Sequence, residues 1–364
     1  MFTACSRVVW LYMLAISFGP AWAQEPTNLK EAYGAKFALG AAIDTPNLKE
    51  AELAVLLANF TNITPENCMK PAPIEPEEGK YAFAEADALV DFAQRKGLKI
   101  NGHCLIWNEQ CPEWFFLDNG KPADRGLVLK RMIDHITTQV THFKGKVFSW
   151  DVVNEALGDG SEYLKPTRWQ KSIGDDYIAQ AFITASKTDP QAELYYNDYN
   201  IEQPDKREKA LRLIRDLKKQ KIRIDGIGIQ GHWELDKIPY KDIEDSIIAF
   251  HNEGLKVMIT ELDLDMVPRS MSGANASAHD QGTDDPYANG CPPEILQRQA
   301  DQYARLFALF RKHADKISRV TFWGLDDGRS WLNTWPRQRT NYPLLWGRDL
   351  QPKPALPAVL QEKN

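Results

Sequence analysis

The segment Val147–Leu157, "VFSWDVVNEAL", begins as an apolar, β-branched strand and ends on Asn154-Glu155, an amide and a carboxylate side by side. A buried acid is costly unless it is paired or neutralised. Such a strand makes sense where its last residues leave the core. Seven runs of similar character flank it: "KFALGAAID" (36–44), "NFTNITPEN" (59–67), "LKINGHCLIW" (98–107), "AELYYNDYN" (192–200), "IDGIGIQGH" (224–232), "LKVMITELD" (255–263) and "ISRVTFWGLD" (317–326). Between them lie helix-period segments. Ala86, Leu89, Val90 and Ala93 fall at i, i+3, i+4 and i+7 ahead of Gly97. Ala210, Leu213, Ile214 and Leu217 repeat the spacing, Ile243 and Ile247 precede Gly254, and Thr188-Asp189-Pro190 stops a further helix. Strands that are apolar along most of their length are buried on both faces, and alternation with helices makes them parallel. Eight such units in one chain predict a single (β/α)8 TIM barrel with its site at the C-terminal ends of the strands. The alternative, a doubly wound sheet, calls for a glycine-rich phosphate loop after the first strand, and "LGAAIDTPN" (39–47) is not one.

The chain of 364 residues has 43% hydrophobic and 26% charged residues, the composition of a globular protein. Its net charge of −6, with no Lys/Arg-rich block, argues against a nucleic-acid partner. The first residues, "MFTACSRVVWLYMLAISFGPAWAQ", carry one Arg, a short apolar run and Ala21-Trp22-Ala23. They read as a secretory signal, residues 1–23, followed by a catalytic barrel domain at 24–364. The run Val8–Phe18 is short of the ~20 residues of a membrane span, so no span is expected after cleavage. A secreted or periplasmic monomer is expected. Export permits disulfides among Cys68, Cys104, Cys111 and Cys291, but the spacing fits no zinc pattern. One disulfide or a set of small buried thiols is the expected use.

The strand ends carry a coherent set of polar groups. In chain order they are Glu66-Asn67 with Lys70; His103 with Trp107 and Gln110; Asn154-Glu155; Asn197-Asp198-Tyr199; Gln230-Gly231-His232; Glu261-Leu262-Asp263; and Trp323, with Trp331 beyond it. Amides, carboxylates and a Lys can bond sugar hydroxyls, while indoles stack on the apolar face of a sugar ring. Each Trp taken alone could be core, and each Glu alone a salt-bridge partner. Together, Glu155 and Glu261 suit glycosidic cleavage, which needs one protonated acid and one ionised carboxylate, ~5–5.5 Å apart in a retaining enzyme. Partial burial and the charge of Glu261 are expected to keep Glu155 protonated. His232 and Asp263 can pair so as to orient Glu261 and keep it ionised. A metal site is the rival reading, weakened by the absence of His-x-His and His-Glu-x-x-His signatures.

At these residues the chain resembles the family 10 glycoside hydrolases, the β-1,4-xylanases, from about Phe37 to Pro357. The matching pieces include "TPENCMKPAPIEPEEGKYAF" (64–83), "GHCLIW" (102–107), "WDVVNEAL" (150–157), "YYNDYNIE" (195–202), "IDGIGIQGHW" (224–233), "ITELDLD" (259–265), "TFWGLDDGRSWL" (321–332) and "YPLLWGRDLQPKPA" (342–355). The resemblance implies retaining endo-hydrolysis of xylan without a cofactor, with Glu155 as acid/base and Glu261 as nucleophile. It places Glu66, Asn67, Lys70, His103, Trp107, Gln110 and Asn154 on the sugars at or before the cleavage point. Gln230 and His232 fall around the nucleophile, Asp263 behind His232, and Trp323 and Trp331 over the cleaved sugar. There are departures. Asn108 stands where the family often has a second His, a position expected to touch the cleavage-point sugar. Cys68, Cys104 and Cys111 replace other residue types, and Trp346 and Asn341 stand where Phe and Asp are common. The long polar segment 269–293 reads as an irregular surface loop near the site, its acids solvated rather than holding a cation. A β-1,4-glucanase and a non-catalytic polysaccharide-binding barrel are the alternatives, though a mere binder needs neither carboxylate.

Overall fold

The computed structural model describes residues 26–269, 274–276, 278–280 and 282–361. The segment read as a signal, 1–23, lies outside them. Eight strands form the barrel: β1 (Ala38–Ile43), β2 (Asn62–Pro65), β3 (Lys99–Ile106), β4 (Ser149–Asn154), β5 (Glu193–Asp198), β6 (Gly226–Ile229), β7 (Lys256–Asp265) and β8 (Ile317–Phe322). All neighbours are parallel, and the ring closes because β8 pairs with both β7 and β1. A helix follows each strand: α1 (Glu50–Asn59), α2 (Ala84–Lys96), α3 (Arg125–His142), α4 (Tyr177–Thr188), α5 (Pro204–Lys219), α6 (Tyr240–Asn252), α7 (Pro293–Lys312) and α8 (Ala355–Leu360). The expected (β/α)8 barrel is therefore the fold.

The helices form where apolar residues recur on one face and the ends are capped. α2 buries Ala86, Leu89, Val90 and Ala93, and Gly97 at φ +68° ends it in a left-handed turn. The Asp124 side chain accepts from the Leu127 amide at 2.8 Å and starts α3. Close approach governs the contact of β3 with β4. A Cβ on Gly102 would lie 2.2 Å from the ring of Trp150, so only glycine lets the buried indole lie against β3.

The sixth strand departs from its expected course. β6 ends at Ile229, Gly231 takes φ +89°, and His232–Glu234 starts a short separate strand paired with Asp263–Asp265 of β7. A run of strand-forming residues cannot reveal this break, which moves His232 from the end of β6 to the flank of β7. Cys68, Cys104 and Cys111 are buried and Cys291 half-buried, all four as free thiols, so the disulfide alternative is not realised. Burial pushes Cys68 and Cys111 up to about 12, which removes thiolate character. Among the described residues no helix is long and apolar enough to cross a membrane, and no group of three or more His, Cys, Asp or Glu is placed to hold a metal ion.

Candidate active site

Thirteen of the residues expected at the strand ends line one cleft of about 280 Å³ at the C-terminal mouth of the barrel. They are Glu66, Asn67, Lys70, His103, Trp107, Gln110, Asn154, Glu155, Gln230, His232, Glu261, Trp323 and Trp331. Asp263, expected behind His232, lies fully buried there. Ala274 and Ala276 of the long loop and Thr334 complete the wall, so that loop does approach the site. Of its described acids, Asp280 is engaged by Arg337 at 2.5 Å and Asp285 by Thr340 at 2.9 Å, while Asp284 is exposed.

The two glutamates emerge differently. Glu155 follows β4 with φ +59°, a left-handed conformation that a non-glycine residue keeps only when its surroundings over-determine it. Its amide donates to the Asn197 carbonyl at 2.9 Å, which ties the turn to β5. The carboxylate accepts from Trp107 Nε1 at 2.9 Å, Gln230 Nε2 at 2.9 Å and Asn154 Nδ2 at 3.4 Å. Glu261 lies within β7, its Oε1 accepting from Asn197 Nδ2 at 2.7 Å and its Oε2 facing His232 Nε2 at 3.0 Å. His232 Nδ1 meets Asp263 Oδ1 at 3.0 Å, and Trp331 Nε1 donates to Asp263 Oδ2 at 2.8 Å.

These surroundings push the two acids in opposite directions. Burial raises Glu155 above the usual carboxylate range; Asp198 adds to the rise, and Lys165, Gln230 and Trp107 oppose it without cancelling it. This corrects the expected cause: burial dominates, and the charge that adds to it is Asp198 rather than Glu261. Burial also acts to raise Glu261, but the His232 hydrogen bond, the charges of His103 and His232, and Asn197 outweigh it and hold the group low. Burial alone would discharge His232; Asp263 and Glu261 on its two sides instead raise it to about 10. The imidazolium thus stands between two carboxylates.

The other wall is polar and aromatic. Asn67 Nδ2 donates to both oxygens of Asp44 at 3.1 Å, while its Oδ1 accepts from Lys70 Nζ at 3.0 Å and Gln110 Nε2 at 3.3 Å. Lys70 sits 4.8 Å from the Trp107 ring. Glu66 at the end of β2 is raised to about 8, chiefly by burial and then by Asp44. His103 is fixed by Asp151 at 2.9 Å and meets Trp323 edge-on at 5.3 Å. Trp331 stacks on Trp335 at 4.5 Å and tilts against His232 at 4.9 Å.

Two further side chains belong to this arrangement although they were not singled out as site residues. Asn197 donates to both Asn154 Oδ1 (3.0 Å) and Glu261 Oε1 (2.7 Å), joining the two strands from which the glutamates emerge, and Asp151 holds His103. Asn197 stood at the fifth strand end, but nothing in the sequence separated it from Asp198 and Tyr199, which do not line the cleft. Asn108 is a correction. It does not line the cleft; its Oδ1 accepts from the Arg168 amide at 3.3 Å and its Nδ2 donates to Glu109, so it secures the loop before the helical turn at Arg168–Ile173. Asn341 donates to Asp265 Oδ1 at 2.6 Å, a contact in which an Asp would oppose a second carboxylate.

The sequence pattern of glycosyl hydrolase family 10 matches residues 28–362. An endo-1,4-beta-xylanase A of Xylanibacter ruminicola is 41% identical over 350 residues, covering 94% of this chain and 95% of that protein. A beta-1,4-xylanase of Dictyoglomus thermophilum is 40% identical over 355 residues, covering 96% of each. Among solved structures, a GH10 endoxylanase retrieved from a sugarcane soil metagenome superposes with a TM-score of 0.86 at 38% identity, covering 91% of this chain and 99% of that one. Xylanase B of Clostridium stercorarium F9 gives 0.85 at 34% identity, covering 92% and 99%.

Proposed function

The chain belongs to glycosyl hydrolase family 10, and from that premise we infer that it is an endo-1,4-β-xylanase, hydrolysing internal links of xylan with retention of configuration, through Glu155 and Glu261. The observation that carries this reading is the opposite titration of the two carboxylates in one cleft. Enzymes of this chemistry need one acid that keeps its proton and one that has lost it.

The proposed sequence follows from the contacts. Glu261, ionised between Asn197 and His232, attacks the anomeric carbon. Protonated Glu155 gives its proton to the departing glycosidic oxygen. In the second half Glu155, now a carboxylate, takes a proton from water, and that water displaces Glu261 from the sugar. Asn154, held by Asn197, is placed to bond a hydroxyl of the sugar undergoing cleavage. Trp323 and Trp331 supply the apolar faces, and Glu66, Asn67, Lys70 and Gln110 bind sugar hydroxyls along the same wall. The chemistry requires no cofactor.

The apolar leader with Ala21-Trp22-Ala23, lying ahead of the family match that begins at residue 28, supports a cleaved signal at 1–23 before a catalytic unit at 24–364; a secreted or periplasmic monomer is the accompanying proposal. The deciding experiment follows fresh product from xylan by proton NMR. The β-anomer should appear first and mutarotate; the α-anomer appearing first would sink the mechanism. Reducing-sugar release from xylan, set against carboxymethylcellulose, checks the substrate.

A further inference from the structure

The opposite end of the barrel holds a second polar cavity, of about 370 Å³, among the N-terminal ends of the strands. Its centre is Arg319 on β8, only 3% exposed. Among the described residues its one side-chain hydrogen bond is a long 3.5 Å contact from Nη1 to Ser149 Oγ, and its Nε has no partner. The guanidinium lies near the rings of Phe148 and Tyr195, at 5.4 and 5.7 Å. The cavity's one carboxylate, Glu193, is already engaged by Lys256 and by the Tyr195 hydroxyl. Asp151, deeper in the barrel, accepts on Oδ2 from Asn101 Nδ2 at 3.0 Å and meets His103 Nδ1 there at 2.9 Å, while its Oδ1 has no hydrogen-bond partner. Burial holds Arg319 below the usual guanidinium range, and Tyr195, Asp151 and Glu193 offset this only in part.

Buried charges are ordinarily paired, and buried donors ordinarily bonded. Arg319 forms no ion pair among the described residues, and its Nε is left unbonded while Nη1 keeps only the long contact to Ser149. Lys99 and Lys256 stand at the mouth, so the cavity wall carries three cations against Glu193. A planar guanidinium fork matches two oxygens of a carboxylate, sulfate or phosphate, and a cationic mouth draws such ions in. We propose that this cavity is an anion site, taking a small oxyanion against Arg319 with Lys99 and Lys256 at the entrance. It faces away from the cleft, on the side of the barrel where residues serve stability. An anion bound there, and not by the unfolded chain, stabilises the fold by mass action.

Calorimetric titration and thermal melts test this at constant ionic strength, with inorganic phosphate, with free glucuronate, and with sodium chloride as the control. Saturable binding of phosphate, with a rise in Tm that chloride does not reproduce, is expected. Glucuronate competing for the same site would identify a sugar acid as a source of the oxyanion, whereas response to phosphate alone would restrict the site to inorganic ions. Arg319→Met should weaken binding by about tenfold or more, the cost of losing charge-assisted hydrogen bonds. Lys99→Met, at the exposed mouth, should weaken it less while leaving the anion-free Tm unchanged, and it keeps the test open should Arg319→Met fail to fold. No saturable binding of either anion to the parent protein, or equal affinity in every variant that folds, overturns the proposal.

Discussion

Glu155 and Glu261 have the same side chain and both are buried, yet a handful of neighbours push one up and the other down in pKa. Glu155→Gln should lower kcat/KM on xylan by roughly 10²–10⁴-fold, the range for loss of a general acid. An aryl xyloside with a good leaving group should lose far less in its first step. The basic limb of the pH–rate profile should vanish with it, because Glu155 is the group whose proton is lost as pH rises. Asp263→Asn tests the other half. Asp263 heads the influences that raise His232 to about 10, so without it His232 discharges at lower pH and Glu261 loses part of its cationic support. The acidic limb should then move to higher pH. Stability should respond as well. His232 is raised from 6.5 to about 10, so its contribution is complete below pH 6.5 and is lost as pH climbs through 10. Melts of the parent protein should fall across that window more steeply than those of Asp263→Asn. At this scale the sequence revealed which residues line the cleft, because strand ends are fixed by the strand pattern. It did not reveal Asn197 as the link between the two glutamates. Choosing Asn197 over Asp198 requires knowing which side of the pleat faces inward, and choosing it over Tyr199 requires knowing that the strand ends at Asp198.

The βα unit is where sequence and structure agree best, since buried parallel strands and one-sided helices leave different periodicities. Even so, a single residue decides the contact of β3 with β4. Gly102→Ala drives a methyl into the Trp150 ring and should cost ~1–3 kcal/mol by overpacking, read in urea titrations. Activity should fall too, because His103 and Asn154 ride on those two strands. Asp124→Ala removes the cap of α3 and should cost ~1 kcal/mol with kcat unchanged, since the helix start lies away from the cleft. What the pattern missed was irregular backbone. The break at Gly231 uses the positive φ that glycine readily adopts, whereas the left-handed turn at Glu155 is held by the neighbouring strand and not by the residue's own preference. Asn108 shows the same limit: the resemblance implied a sugar contact at that position, but the side chain bonds the Arg168 amide.

Across the whole molecule, closure of the ring was the inference furthest from any local signal, and it rested on counting units rather than on any one of them. The last strand pairs with the first, and the first and last described helices follow suit. Tyr33, in the short helix before β1, donates to the Val359 carbonyl in α8 at 2.6 Å and accepts from Arg311 of α7 at 2.6 Å. These two elements are therefore neighbours in space although more than three hundred positions apart in the chain. The ring has no privileged beginning. A short linker joining the two ends, with new ends opened at the solvent-facing turn of Gly145, should yield a circular permutant with the same cleft and undiminished xylan hydrolysis. The order in which the barrel is read out would become a matter of gene layout rather than of architecture.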